Sequence, residues 1–373
     1  MTATLDRRKS RLIRQYIVDQ LESGKLKHGD CLPSETELAR SLGVGRYSVR
    51  QALAELSRSG MVQRVKKRGT VVTVERPSAQ PKRDRSGFGL ILPEMRSGIY
   101  PSLIKGFGEG AATAQQELTT CETAGDIYRQ GDTILRLLEK EVSGVAIVPA
   151  FDPMPEYQLQ ALRSRGVPVV FCHRRTTKLK APLIGWSFDE VGRLAAATLA
   201  EFGHRRLAFV DGAPSVTNEG YLSGFRSELQ RRAIPFTDDS VFIGSHLLVD
   251  AEAHHAEVLV TRLLNDPRWP TAVFCGDDYV SERLFLAAVR KGLRVPEDLS
   301  IIGFGPTFRD GPVRAGLAAV VVDEVKLGQR AARILCEIRD GLRAQDDGEE
   351  ILLPLTVLKG QSLGPAATRE ASN

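Results

Sequence analysis

Between residues 8 and 60 apolar positions recur every three or four residues. Leu12, Ile13, Tyr16, Ile17, Val18 and Leu21 share one side of a helix running from about Arg8 to Ser23, which Gly24 stops. Ser34 followed three residues later by Glu37 predicts a capping box, with Leu38, Ala39 and Leu42 on the inner face of a second helix that Gly43 ends. A third helix starts near Gly45 or Arg46 and reaches Ser59. Its Val49, Ala52, Leu53 and Leu56 face inward, while Arg46, Tyr47 and Arg50 fall on the opposite side. The pattern then changes to extended runs, 61–65 and 70–74, around the basic turn Lys66, Lys67, Arg68 and Gly69. From residue 87 onward, short β-branched runs alternate with amphipathic stretches. Strands are expected at 88–92, 118–122, 144–148, 167–172, 183–186, 207–211, 241–243, 272–275, 299–304 and 317–322. Helices are expected at 100–116, 128–141, 188–203, 220–232, 251–265, 280–292 and 323–341.

Such alternation implies parallel sheets with helices on both faces. Ten strands exceed one comfortable open sheet. The fold class is therefore α/β, two Rossmann-like lobes with a cleft, preceded by a small winged helix-turn-helix domain. The expected boundaries are 1–75 for the head, 76–86 for a linker, 87–362 for the body and 363–373 for a disordered tail. The linker carries two prolines, several charges and no large apolar residue, which favours an extended chain.

Charge separates the two parts. The chain has 373 residues and a formal net charge of +5. Residues 1–86 hold 19 Lys and Arg against 9 Asp and Glu, and the remainder holds 32 against 37. A basic head on a mildly acidic body points to a polyanion for the first and another task for the second. No stretch reaches the ~18 apolar residues of a membrane span, and the first residues turn polar where a signal peptide needs its apolar run. Five scattered cysteines without a CxxC pair fit a reduced cytoplasm.

A helix bearing guanidinium forks fits a major groove, and a basic hairpin can reach a backbone or minor-groove site. The run from Gly29 through Pro33-Ser34-Glu35 to Leu38-Ala39, then Leu42-Gly43-Val44-Gly45-Arg46-Tyr47-Ser48-Val49-Arg50-Gln51-Ala52-Leu53, resembles the GntR-type winged helix-turn-helix. The resemblance covers about residues 8–75. It implies contacts with double-stranded operator DNA from Arg46, Ser48 and Arg50, with Gly69 at the wing tip. The DNA-binding set is completed by Ser34, Tyr47, Lys66, Lys67 and Arg68. Thr36 stands where that family often has Arg or Lys, and Gly45 replaces its usual Ser.

In parallel α/β sheets, ligands bind beyond the carboxyl ends of the strands. The residues just past those ends are Glu94, Arg96, Phe151, Asp152, His173, Arg174, Ser187, Asp189, Asp211, Asp277 and Asp278. The runs 201–210, 224–225, 272–278 and 292–304, with Val295-Pro296-Glu297-Asp298-Leu299-Ser300-Ile301-Ile302-Gly303-Phe304, are similar to the LacI/GalR effector domain of periplasmic-binding-protein fold. Residue by residue, Asp278 matches an Asp that bonds ligand hydroxyls in sugar-responsive members. Tyr221 stands where that family usually has Arg, and Gly305 where it usually has Asp. The expected ligand set is Asp152, Arg174, Trp186, Tyr221 and Asp278, with Tyr221 offering an aromatic face to a sugar-like effector.

Other chemistry is not supported. The stretch 106–110 lacks the spacing of a nucleotide loop, and Cys172 and His173 point to opposite faces of a strand. His254 and His255 cannot both face one metal, and Asp277 with Asp278 lacks a companion nucleophile. No catalytic residue, metal site or cofactor is expected. The reading is a cytoplasmic homodimeric transcription regulator, a repressor, controlled by a small metabolite. The alternative is a solute-binding protein without a regulatory role.

Overall fold

The structure, a computed structural model, describes residues 13, 16, 17, 20, 26–58, 62–66, 68–73, 87–96, 98–150, 157–176, 179–212, 215–244, 261–265, 270–305, 313 and 316–366. The linker at 76–86, Lys67, Asp152 and the histidines at 254 and 255 lie outside these residues, as does most of the expected helix at 8–23.

The head packs two helices, α1 (Glu35–Ser41) and α2 (Arg46–Arg58), against the hairpin of β1 (Val62–Val65) and β2 (Gly69–Val72). The expected capping box is present: the Glu37 amide donates to Ser34 Oγ at 3.2 Å and the Ser34 amide donates to Glu37 Oε2 at 2.8 Å. These bonds satisfy two of the donors that a helix start leaves open. Ile13, Ile17, Leu38, Val49, Ala52, Leu56, Val62 and Val72 share one buried cluster, which joins both helices to the hairpin. The hairpin is antiparallel, pairing Val62 with Val72 and Val65 with Gly69. Segment 29–32 lies along β2, with the Leu32 amide on the Thr70 carbonyl at 2.8 Å and the Val72 amide on the Asp30 carbonyl at 2.9 Å. At the turn, Gly69 has φ +90°, a conformation open to glycine but strained for L side chains.

The chain as a whole divides into two compact units, the head falling in the first. Unit 1 comprises Met1–Glu94, Gly108–Leu183 and Gln329–Glu350; unit 2 comprises Met95–Phe107, Ile184–Gly328 and Ile351–Asn373. The elements in chain order are β3 (Phe88–Leu92), α3 (Tyr100–Thr113), β4 (Leu118–Glu122), α4 (Ile127–Glu139), β5 (Gly144–Ile147), α5 (Tyr157–Ser164), β6 (Val169–Cys172) and β7 (Leu183–Gly185). They continue with α6 (Phe188–Glu201), β8 (Leu207–Asp211), α7 (Val216–Arg231), β9 (Val241–Ile243), β10 (Ala272–Cys275), α8 (Asp278–Arg290), β11 (Ser300–Phe304), β12 (Ala318–Val322), α9 (Glu324–Arg339), β13 (Glu350–Leu352) and β14 (Leu355–Leu358).

One sheet runs β4-β3-β5-β6-β7-β13 and the other β9-β8-β10-β11-β12-β14. Each has the doubly wound order in which the second strand in sequence lies outside the first and the third lies inside it. That order places the reversal, where ligands bind, between β3 and β5 in one sheet and between β8 and β10 in the other. Strands β3, β5, β6, β10, β11 and β12 are buried along their whole length, which explains their unbroken apolar runs.

All ten expected body strands are present within two residues of their expected bounds. Two further strands, β13 and β14, and the helix α5 lie outside the expectation; β14 pairs antiparallel with β12. Residues 106–110 lie inside α3, not in a strand-to-helix loop. The tail expectation is corrected at its start. Leu363 and Gly364 are buried, the Gly364 amide donates to Ser300 Oγ at 3.1 Å, and the Ala366 amide donates to the Phe202 carbonyl at 2.9 Å. The chain therefore stays docked through residue 366.

Candidate functional site

On the head, the amphipathic split of α2 leaves one face polar and exposed. Val49, Ala52 and Leu56 sit in the cluster below, while Arg46 is exposed and Tyr47 is 70% exposed. Arg50 lies one turn beyond Arg46, and its Nε and Nη2 reach Glu35 Oε2 at 3.4 and 3.3 Å. The other Glu35 oxygen stands 3.9 Å from Arg64 on β1. One carboxylate thus spans α2 and the hairpin. Lys66, Arg68 and Gly69 are exposed at the hairpin end. The Ser34 backbone N–H, aided by its hydroxyl, holds the Glu37 carboxyl below its ordinary range. Ser48 is a correction: it is 1% exposed and belongs to the packed side of α2, so its hydroxyl does not face a duplex. Ser34 is exposed, and its side chain is engaged as the cap of α1.

In unit 2 the reversal of strand order brings three aspartates to one sheet edge. Asp211 ends β8, and Asp277 and Asp278 follow β10 at the start of α8. Asp277 caps that helix, its Oδ1 accepting from the Val280 amide at 2.7 Å, and its carbonyl accepts the Ser281 hydroxyl at 2.7 Å. Asp211 Oδ1 accepts from the Gly212 amide at 2.6 Å. Asp278 is 7% exposed. Burial raises the Cys275 thiol pKa, and the nearby Asp277 and Asp211 charges raise it further.

Behind the aspartates stands an aromatic cluster. Trp186 stacks on Phe304 with centroids 5.3 Å apart, and Tyr221 meets Phe304 at 5.2 Å and Phe188 edge-on at 5.9 Å. The Trp186 Nε1–H points to the Tyr221 hydroxyl at 3.4 Å. Tyr221 is 2% exposed, and burial lifts its hydroxyl pKa well above the ordinary value. The hydrogen bond from Trp186 opposes that shift, while Asp211, Tyr100 and Asp277 add to it. The expectation of an open aromatic face is therefore corrected: Tyr221 and Trp186 are both buried, packed among Phe188 and Phe304. Backbone packing holds the cluster in place. An added Cβ at Gly224 of α7 would come within 1.8 Å of the Asp189 carbonyl oxygen on α6, so the two helices cross with bare backbone between them.

Arg174 lies in unit 1, whereas Trp186, Tyr221 and Asp278 belong to unit 2. Its Nε donates to the Pro149 carbonyl at 2.8 Å, and its Nη1 lies 3.3 Å from His173 Nδ1. His173 ends the β6 edge at φ +66°, buried; burial and the Arg174 charge hold its imidazole well below its ordinary pKa. Burial likewise pushes the neighbouring Cys172 thiol up to about 12, so it is an inert core residue. Among the described residues no group of His, Cys, Asp and Glu could hold a metal ion, and no helix is long and apolar enough to cross a membrane.

Sequence reasoning missed Glu35 and Phe304. Glu35 acts on a partner fifteen residues away, and Phe304 closes a strand that reads simply as core. Asp211 was visible as a strand-ending carboxylate, but nothing local ranked it above its neighbours.

Residues 9–72 match the bacterial regulatory proteins of the gntR family, and residues 196–363 match the periplasmic-binding-protein-like domain. The arabinose metabolism transcriptional repressor of Geobacillus stearothermophilus is 24% identical over 94% of this chain and 96% of its own length. Catabolite control protein A of Priestia megaterium is 25% identical over 66% of this chain and 73% of its own. Among solved structures, the transcriptional regulator CelR in complex with cellobiose superposes with a TM-score of 0.64, at 19% identity over 89% of this chain and all of that one (100%). Residues 9–72 thus match a gntR-family regulatory domain and residues 196–363 a periplasmic-binding-protein-like domain, and solved transcription regulators share the fold of the body.

Proposed function

We propose that the chain is a transcriptional repressor that binds operator DNA as a homodimer and releases it when a small sugar-like effector occupies the aspartate edge of unit 2. The observation that carries this reading is the joining of two modules: an outward Arg46/Tyr47/Arg50 helix beside a basic wing, and a body whose β8–β10 reversal collects Asp211, Asp277 and Asp278. Relatives that align over nearly the whole chain are named as arabinose metabolism repressors, which makes L-arabinose the first probe.

Carboxylates at a strand end accept hydrogen bonds from the hydroxyls of a polyol. In this reading Asp278 and Asp211 accept from the effector, with Asp277 held as a helix cap. Trp186 and Tyr221 form the rigid wall behind them.

The test separates regulation from mere solute binding. DNA selected from a random pool is titrated with the full chain by fluorescence anisotropy, with and without pentoses, hexoses and disaccharides. Arg50→Ala is expected to lose DNA binding while keeping the calorimetric response to the effector. Asp278→Asn is expected to do the reverse. Effector binding without any selected DNA would favour the solute-binding alternative, and a monomer by light scattering would remove the dimer.

A further inference from the structure

Unit 2 has a concavity at the end of its sheet opposite the three aspartates. It lies where β8 and β9 begin, four residues and about 13 Å along β8 from the Asp211 edge. Its volume is about 300 Å³, at the lower bound for small-ligand pockets. The side walls are rings: Phe236 is held edge-on by Phe225 at 5.3 Å and lies under the Arg226 guanidinium at 5.2 Å, and Phe242 lies under Arg262 at 5.6 Å. The mouth carries Arg205 and Arg206, both exposed, and neither forms an ion pair among the described residues. Asp239 and Ser240 also line it.

The positions of these two arginines follow from the backbone. The Arg206 carbonyl accepts the Thr271 amide at 2.9 Å, and His204, two residues earlier, is buried between the Thr271 hydroxyl and the Gly364 carbonyl, each at 3.0 Å. The dipeptide that bears the guanidiniums is therefore anchored at its own backbone and by a buried neighbour. Aromatic and proline carbons share this lining with two guanidiniums, one carboxylate and a hydroxyl, so the pocket is apolar with a few polar groups. Among the lining residues two cations stand against one anion, which leaves one positive charge to be matched.

We propose that this pocket is a second ligand site, separate from the aspartate edge, for a small aromatic carboxylate bearing a ring hydroxyl. The ring lies against Phe236 and Phe242. The carboxylate takes the paired N–H donors of Arg205 and Arg206, and the hydroxyl donates to Asp239. The inference does not depend on the identity of the effector proposed above.

The experiment uses the full chain and three probes, 4-hydroxybenzoate, benzoate and benzyl alcohol, in isothermal titration calorimetry. The expected order is 4-hydroxybenzoate tighter than benzoate, with no binding of the neutral alcohol. Arg205→Gln/Arg206→Gln is expected to weaken both acids at least tenfold without lowering the melting temperature, since both side chains are exposed. Asp239→Asn is expected to weaken 4-hydroxybenzoate and leave benzoate unchanged. No heat from either acid up to millimolar concentration overturns the proposal, as does equal acid binding by the double variant. Loss of acid binding in Asp278→Asn would place the acids at the aspartate edge and overturn it too. A change in oligomeric state on Arg205→Gln/Arg206→Gln would assign the pocket to a second copy of the chain instead.

Discussion

The carboxylate of Glu35 makes Arg50 a different residue from Arg46, although both point outward from α2. Arg50→Ala removes a guanidinium that, placed on a base edge, is worth about 1–3 kcal/mol, or about 5- to 150-fold in affinity for one head. It also strips Glu35 of its nearer partner, leaving only Arg64 at 3.9 Å to balance a negative charge that faces a polyanion. Arg50→Ala should therefore cost more than Arg46→Ala. The Arg50–Glu35 pair is open to water on the arginine side, so its own coupling is held to the ~0.2–1 kcal/mol of exposed pairs. In a Glu35→Gln background the cost of Arg50→Ala should shrink by that amount. Glu35→Gln alone should tighten binding to arbitrary duplexes, because one negative charge leaves the face, while narrowing the preference for the selected sequence as Arg50 loses its fixed orientation. Anisotropy titrations of selected and scrambled duplexes between about 50 and 200 mM salt read both effects. Strictly additive substitutions, or unchanged discrimination in Glu35→Gln, would refute the argument.

Other expectations concern stability. Ser34→Ala removes the side-chain half of the capping box and should cost the head about 0.5–2 kcal/mol, read by circular dichroism melting; an unchanged melt would mean that the cap is not used. Gly224→Ala forces a methyl group against the Asp189 carbonyl and should destabilise unit 2 by about 1–3 kcal/mol or more, lowering its melting temperature. Burial keeps His173 and His204 neutral in the fold, with the Arg174 charge reinforcing it at His173 and the Gly364 carbonyl opposing it at His204. The unfolded chain then takes up protons below about pH 6.5 that the folded chain refuses, so stability is full above that pH and declines as pH falls toward the folded-state values. Melting temperatures from pH 8 to 5 should drop accordingly, and His204→Gln should flatten the drop; a constant profile in the wild type would contradict the assignment.

The parts of the molecule legible from sequence are those in which local pattern and tertiary role coincide. β3, β8, β10 and β11 are buried on both faces, so their apolar runs announce them directly. α2 divides its charged and apolar sides cleanly because one face packs and the other faces solvent. β13 and β14 were missed because they are short strands with few buried side chains, and residues such as Glu350 and Thr356 carry no strand signal without β7 and β12 beside them. Tyr221 shows the deeper limit. Its replacement of an expected Arg was visible, and an aromatic ring beside a carboxylate suggested a stacking surface. Its surroundings, however, are the rings of Trp186 just past β7 and of Phe188, Phe274 and Phe304 on α6, β10 and β11, elements up to about a hundred residues apart, and only the folded sheet shows that they enclose it. Ser48 failed for a related reason: a residue between two outward arginines still points inward when α2 lies close against its neighbours.

The chain has two tryptophans, at positions 186 and 269. The first is already an optical sensor. Its indole is dry, stacked on Phe304 and bonded to the Tyr221 hydroxyl, within one cluster that borders Asp211 and Asp277. Any effector that draws on those carboxylates alters the field at the indole and the bond to Tyr221. Excitation of the unlabelled protein can therefore report occupancy of the aspartate edge, with Trp186→Phe, which retains only Trp269, as the control for the response.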